Sequence, residues 1–200
     1  MAARNAPVVA AVGAWFVLAL LAGASGRLLV LRPPVPQLIL LGLTAALLVA
    51  GRCIPGLRAW VLTVDLRILV GLHVCRFLAG AYFLVLYRRG ELPYAFAVPG
   101  GLGDMLVAVL AVGLLVSGGP SSAGRRRAYA VWNGLGLLDI LFVVTTAARV
   151  WIADPESMRA LLILPLSVLP TFLVPLIIAS HVAIAARLWR TPAMAGARGA

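Results

Sequence analysis

Arg76, Asp104 and Asp139 are ionisable side chains set inside long apolar runs, and His73, His181 and Asn133 add further polar groups to the same runs. In hydrocarbon each unpaired charge costs about 2.5 to 3.5 kcal/mol on the insertion scale, so the three charges are expected to neutralise one another in the interior of a helical bundle. One arginine cannot fully offset two carboxylates. A proton, a cation or a hydrated cavity must supply the difference, so the chemistry to expect is the binding or translocation of a proton, cation or small solute. Arg76, Asp104, Asp139, Asn133, His181 and His73 are the candidate binding residues.

The stretch from Leu92 to Met105 carries two prolines, three glycines and Asp104 within one such run. Its Gly101-Leu102-Gly103-Asp104 resembles the GxGD element around one catalytic aspartate of intramembrane aspartyl proteases. Such an enzyme needs two carboxylates sharing a proton, and Asp139 or Asp65 is the available second acid. The resemblance covers four residues only, and an arginine beside the pair would hold both acids ionised. Asp104 and Asp139 are therefore weak catalytic candidates, and no catalytic residue is assigned. His73 and His181 are the candidates for axial ligation of a b-type haem, which needs no other motif. No CxxC pair, HExxH, GxSxG or P-loop is present, so zinc proteolysis, ordinary serine hydrolysis and nucleotide hydrolysis lack support. The sequence leans against an enzyme.

These residues must be positioned by membrane helices. The 200-residue chain is 63% hydrophobic and 12% charged, with a mean hydropathy of +1.07, outside the range of soluble globular domains. All 17 basic residues are arginine, which excludes a Schiff-base lysine. The arginines lie in short clusters between apolar runs, so the net charge of +11 reports topology, and no nucleic-acid partner is expected. Six spans are expected, at about 8–25, 35–51, 60–87, 94–117, 128–148 and 160–189, with a disordered tail at 191–200. Residues 1–24 have an alternative reading as a cleaved signal peptide, and 93–101 as a re-entrant segment. Six spans with the N-terminus inside place Arg4, Arg52, Arg58, Arg125-Arg126-Arg127, Arg187, Arg190 and Arg198 in the cytoplasm. The expected fold is an all-α, polytopic transmembrane bundle with both termini cytoplasmic, in a bacterial inner membrane. Its expected partner is the lipid bilayer, and oligomeric state is left open.

Depth decides which polar groups meet. With 1.5 Å of rise per residue counted from each span centre, His73, Arg76, Asp104 and Asp139 fall within roughly 4 Å of the midplane. Asn133 and His181 fall together, roughly 9 to 10 Å towards the cytoplasm. The two histidines then differ in depth by roughly 12 Å, too much for axial ligands of one iron. Along the third span, Asp65, Leu69, Leu72, Arg76, Gly80, Phe83 and Tyr87 form one helical stripe.

Arg76-Phe77 with Gly80 and Phe83, Leu92-Pro93, Gly101-Leu102-Gly103-Asp104, Trp132-Asn133-Gly134-Leu135-Gly136-Leu137-Leu138-Asp139, and Pro165 through Pro175 followed by His181 together resemble a bacterial family of small, uncharacterised polytopic membrane proteins. The resemblance covers residues 65 to 189 and leaves the first two spans outside. It implies the six-span architecture and supplies no reaction. The alternatives to a binding or conducting network are a non-catalytic accessory or scaffold subunit, a haem protein and the aspartyl protease.

Overall fold

The computed structural model describes residues 2–190, with side chains from residue 6 onward; the expected tail at 191–200 lies outside the described residues. Eight helices and several short 3-10 turns follow one another, with no strand among the described residues. They are α1 (Ala2–Ala24), α2 (Val35–Cys53), α3 (Pro55–Thr63), α4 (Leu66–Leu72), α5 (Arg76–Arg88), α6 (Tyr94–Ser117), α7 (Ala123–Ala153) and α8 (Val174–Arg190). Six stretches are long and apolar enough to cross a membrane: Ala6–Ala24, Val35–Cys53, Leu66–Arg88, Tyr94–Ser117, Ala123–Ala153 and Leu169–Arg190.

The third and sixth spans differ from expectation. Residues 60–87 are not one helix: Val64 is extended, and the Asp65 carboxylate accepts a hydrogen bond from the Arg67 amide at 2.9 Å, capping the start of α4. Asp65 is thus a helix-start residue at the membrane boundary rather than the first member of a midspan stripe. The chain then passes through a 3-10 turn at His73–Cys75 directly into α5. A Schellman motif ends α5: the Gly90 amide donates to Tyr87 O, the Glu91 amide to Leu86 O, and Gly90 has φ of 73°. The sixth span begins at Leu169, not Ala160. Residues 156–162 form a 3-10 turn, and Leu169–Leu173 form a widened π turn that leads into α8.

Between Tyr94 and Ser117 the helix runs unbroken. Pro99 lies inside it, and the helix does not break across residues 94–101. Asp104 is consequently within two residues of the helix centre, at the depth expected of a midplane group.

Two apolar clusters make the core. Near one end Phe83, Phe96, Trp151, Met158, Leu162 and Ile177 pack together, and near the other Val70, Val107, Tyr129, Trp132, Ile184 and Leu188 do so. Along α5, α6, α7 and α8 the polar candidates fall between these clusters. The end carrying Trp132 and Leu188 also gathers arginines whose guanidinium groups donate to carbonyls at helix ends: Arg67 to Leu115 O at 3.3 Å, Arg125 to Ser117 O at 3.1 Å, and Arg187 to Val64 O. At the periphery, Trp15 of α1 donates its indole N–H to Thr171 O at 3.0 Å, tying the first span to the π turn.

Candidate functional site

Glycines bring the polar helices into contact. A Cβ on Gly80 would collide with the Gly101 carbonyl oxygen, and one on Gly101 would lie 2.8 Å from Gly80 O, so α5 and α6 touch backbone to backbone here. Gly103 leaves space for the Asp139 carboxylate, which a Cβ would strike, and Gly136 leaves space for the His181 ring, 2.6 Å from where a Cβ would stand. The glycines of the GxGD element are packing positions that allow polar groups on neighbouring helices to approach.

Arg76, Asp104 and Asp139 meet. The Arg76 guanidinium donates through Nε to Asp104 Oδ1 at 2.6 Å, through Nη2 to Asp139 Oδ2, and through Nη1 to the Gly136 carbonyl at 3.2 Å. Its planar fork suits this division between two acids and a carbonyl in a way a lysine would not. The arginine is 1% exposed, Asp104 6% and Asp139 17%, so the trio is buried on one side and opens slightly at Asp139. Its formal charge is −1. A cavity of about 20 Å³, enough for one water, borders Arg76 and Asp104 and is walled by Phe83, Ile140, Val143 and the π-turn residues Leu169 and Leu173. An aspartyl dyad needs a shared proton between its carboxylates; here the guanidinium bonds to both acids, and the geometry does not support that chemistry.

His73 and His181 also meet, which depth counting from the sequence does not anticipate. Their ring centroids are 4.2 Å apart, with Trp132 against both at 5.0 and 5.6 Å. Moving the start of the sixth span to Leu169 shifts its centre by about five residues, bringing His181 ~7.5 Å nearer the midplane. The shorter third span moves the His73 reference the other way. His73 therefore belongs to the layer of Asn133 and His181.

Hydrogen bonding fixes both tautomers. Ser180 Oγ donates to Ile177 O at 2.8 Å, so it accepts from His73 Nε2–H at 3.0 Å. Asn133 Nδ2 donates to the His181 carbonyl at 3.2 Å, which turns its Oδ1 towards His181 Nδ1–H at 2.9 Å. His73 Nδ1 and His181 Nε2 remain bare acceptors inside a fully buried pair. Neutral imidazoles with free lone pairs have the donor chemistry of haem ligands, but rings packed against each other would have to part to admit a macrocycle, and the arrangement does not fit one. Asn133→Leu removes both bonds to His181 while keeping the branched side-chain shape. Because it strands the buried His181 Nδ1–H, whereas the His181 carbonyl keeps its bond within α8, it is expected to cost about 1 to 3 kcal/mol in detergent unfolding.

Three contributors have no distinctive signal in the sequence. Ser180 is one small hydroxyl among many, the Gly136 carbonyl is backbone, and Trp132 reads first as an interfacial anchor; its indole instead donates to Val107 O at 3.0 Å in the interior.

No curated protein and no solved structure matches the chain. A family match, described as a domain of unknown function (DUF8737), covers residues 33–189, and so takes in the second span that the resemblance from the polar elements leaves out. No protease family is shown for the chain. The chain carries six helical stretches long and apolar enough to cross a membrane, and it belongs to the DUF8737 family.

Proposed function

We propose that this protein binds a proton or a small cation at the Arg76–Asp104–Asp139 trio and passes it along the interior of a bacterial inner-membrane bundle. The observation that carries the reading is the division of one guanidinium between two buried carboxylates, which leaves the trio one positive charge short in a low-dielectric interior. The cavity beside Arg76 and Asp104 has room for a single water, which favours a proton or small cation over a larger solute on this route. The π turn that walls the cavity supplies a deformable wall, since π turns interrupt regular helix hydrogen bonding and recur at functional sites. Both termini sit in the cytoplasm on this reading, with the arginine-rich end of α4, α7 and α8 inside.

Proteoliposomes loaded with a pH-sensitive dye test the proposal under an imposed proton or sodium gradient. Flux above empty liposomes, lost in folded Asp104→Asn and Asp139→Asn variants, is the expected result. Wild-type flux equal to that of empty liposomes, or variants that conduct as well as wild type, would sink it.

A second reading rests on the Gly80–Gly101 backbone contact. That contact and the trio together fix the register of α5, α6 and α7, which is what a non-catalytic scaffold subunit requires. Ordered, folded protein without any gradient-linked signal is its expected result.

A further inference from the structure

Asp139 is the member of the trio that reaches the outside of the bundle. Its side chain is 17% exposed, against 6% for Asp104 and 1% for Arg76, and the exposure falls at a depth where the surroundings are hydrocarbon. Only Oδ2 is bonded to Arg76; Oδ1 faces Gly103 of α6, the position where a Cβ would strike it. Gly103 thus lets the Asp139 carboxylate lie in the α6–α7 seam. Around the seam the surface is apolar. Leu106 stands one turn from Gly103, Leu135 and Phe142 stand one turn on either side of Asp139, and these three are 60%, 51% and 48% exposed.

An ionised carboxylate is costly at this depth, and because Asp139 shares its guanidinium with Asp104 a second positive group would lower that cost. Water cannot supply that group from the interior, because the cavity inside holds about one molecule and borders Arg76 and Asp104 rather than Asp139. A ligand arriving through the bilayer can. It must bring a single positive charge to bring the trio to neutrality, and an apolar body to lie on Leu106, Leu135 and Phe142, whose ring can also face the cation.

We propose that the α6–α7 seam at Asp139 is a binding site for a lipophilic organic monocation that enters laterally from the membrane. The site rests on the reading of the trio as a cation-binding centre and adds, on its lipid-facing side, an organic cation to the proton or small cation taken on the interior route. The charged head pairs with Asp139 Oδ1, Arg76 holds Oδ2 and orients the carboxylate, and the leucines and Phe142 receive the body. No covalent step is involved.

The test uses the full chain in lipid nanodiscs with tetraphenylphosphonium as the probe and triphenylphosphine oxide as its neutral counterpart. Saturable binding of one cation per chain is expected, undisturbed by the neutral compound and weakened at least about tenfold in Asp139→Asn, in line with loss of a charged hydrogen bond or ion pair. Gly103→Ala, which puts a methyl group where Asp139 Oδ1 lies and so displaces the carboxylate, is expected to weaken it as well. Because either substitution could disturb packing, a photoactivatable phosphonium is also applied to the wild-type protein, with labelling expected within residues 102–106 and 135–142. Binding that is absent, that survives Asp139→Asn in folded protein, or that labels other helices overturns the site. So does a stable homodimer that covers the seam and excludes the probe. Flux in proteoliposomes that depends on Asp104 while the phosphonium fails to bind overturns this site alone; loss of both removes the trio as a cation centre.

Discussion

Arg76→Ala is expected to destabilise the bundle by about 3 to 5 kcal/mol, because it strands two carboxylates that share one buried guanidinium. Asp104 Oδ1 and Asp139 Oδ2 would both lose their donor, and the Gly136 carbonyl would keep only its bond within α7. Asp139→Asn should cost far less: it leaves Arg76 and Asp104 as a one-to-one pair, and Asp139 is the more exposed acid. The decisive comparison is Arg76→Met combined with Asp104→Asn and Asp139→Asn. With no charge left to strand, most of the loss should return, so the triple variant should be more stable than Arg76→Ala despite carrying three changes. Unfolding in mixed micelles, followed by the tryptophans, measures all of these. Simple additivity of the single losses would show that the three side chains do not act as one unit.

The polar trio was legible because membrane insertion makes each charge expensive, and three charges within apolar runs have few ways to be satisfied. Its assembly also depended on α6 being continuous. Pro99 and the glycines allow a break there, yet Pro99 sits only six residues into a helix that starts at Tyr94, near enough to the start for one lost hydrogen bond to be tolerated. The sixth span was misplaced for the opposite reason. Residues 160–168 are as apolar as the helix that follows, so hydropathy runs on smoothly while the backbone leaves the α conformation. That misplaced start, together with the overlong third span, put the histidines in different layers. Asp65 was missed as a cap because the apolar run continues across the break at Val64; an aspartate one residue before a helix was the local signal for it. Positions defined by cost were readable, and positions defined by where a backbone changes hand-to-hand bonding were not.

The second large effect is expected at Gly80, where the smallest change in the protein meets the least yielding neighbour. Helical glycine replaced by alanine in open surroundings gains about 0.5 to 1 kcal/mol from backbone entropy. Gly42, Gly71 and Gly113 have nothing within 4 Å of an added Cβ, so alanine there should be neutral or mildly stabilising. Gly80→Ala instead drives a methyl group into the Gly101 carbonyl oxygen, and also comes within 3.1 Å of both the Asp104 Cβ and the Met105 Cγ. Backbone cannot rotate aside as a side chain can, so α5 and α6 must separate, at a cost of about 1 to 3 kcal/mol for overpacking. The separation also draws Asp104 away from the Arg76 Nε it meets at 2.6 Å, so the ion pair weakens along with the packing. The loss should therefore be coupled to the charges: Gly80→Ala should cost less in an Arg76→Met, Asp104→Asn, Asp139→Asn background than in the wild type. Equal costs in the two backgrounds would mean that helix approach and ion pairing are independent, and that the glycines serve packing alone.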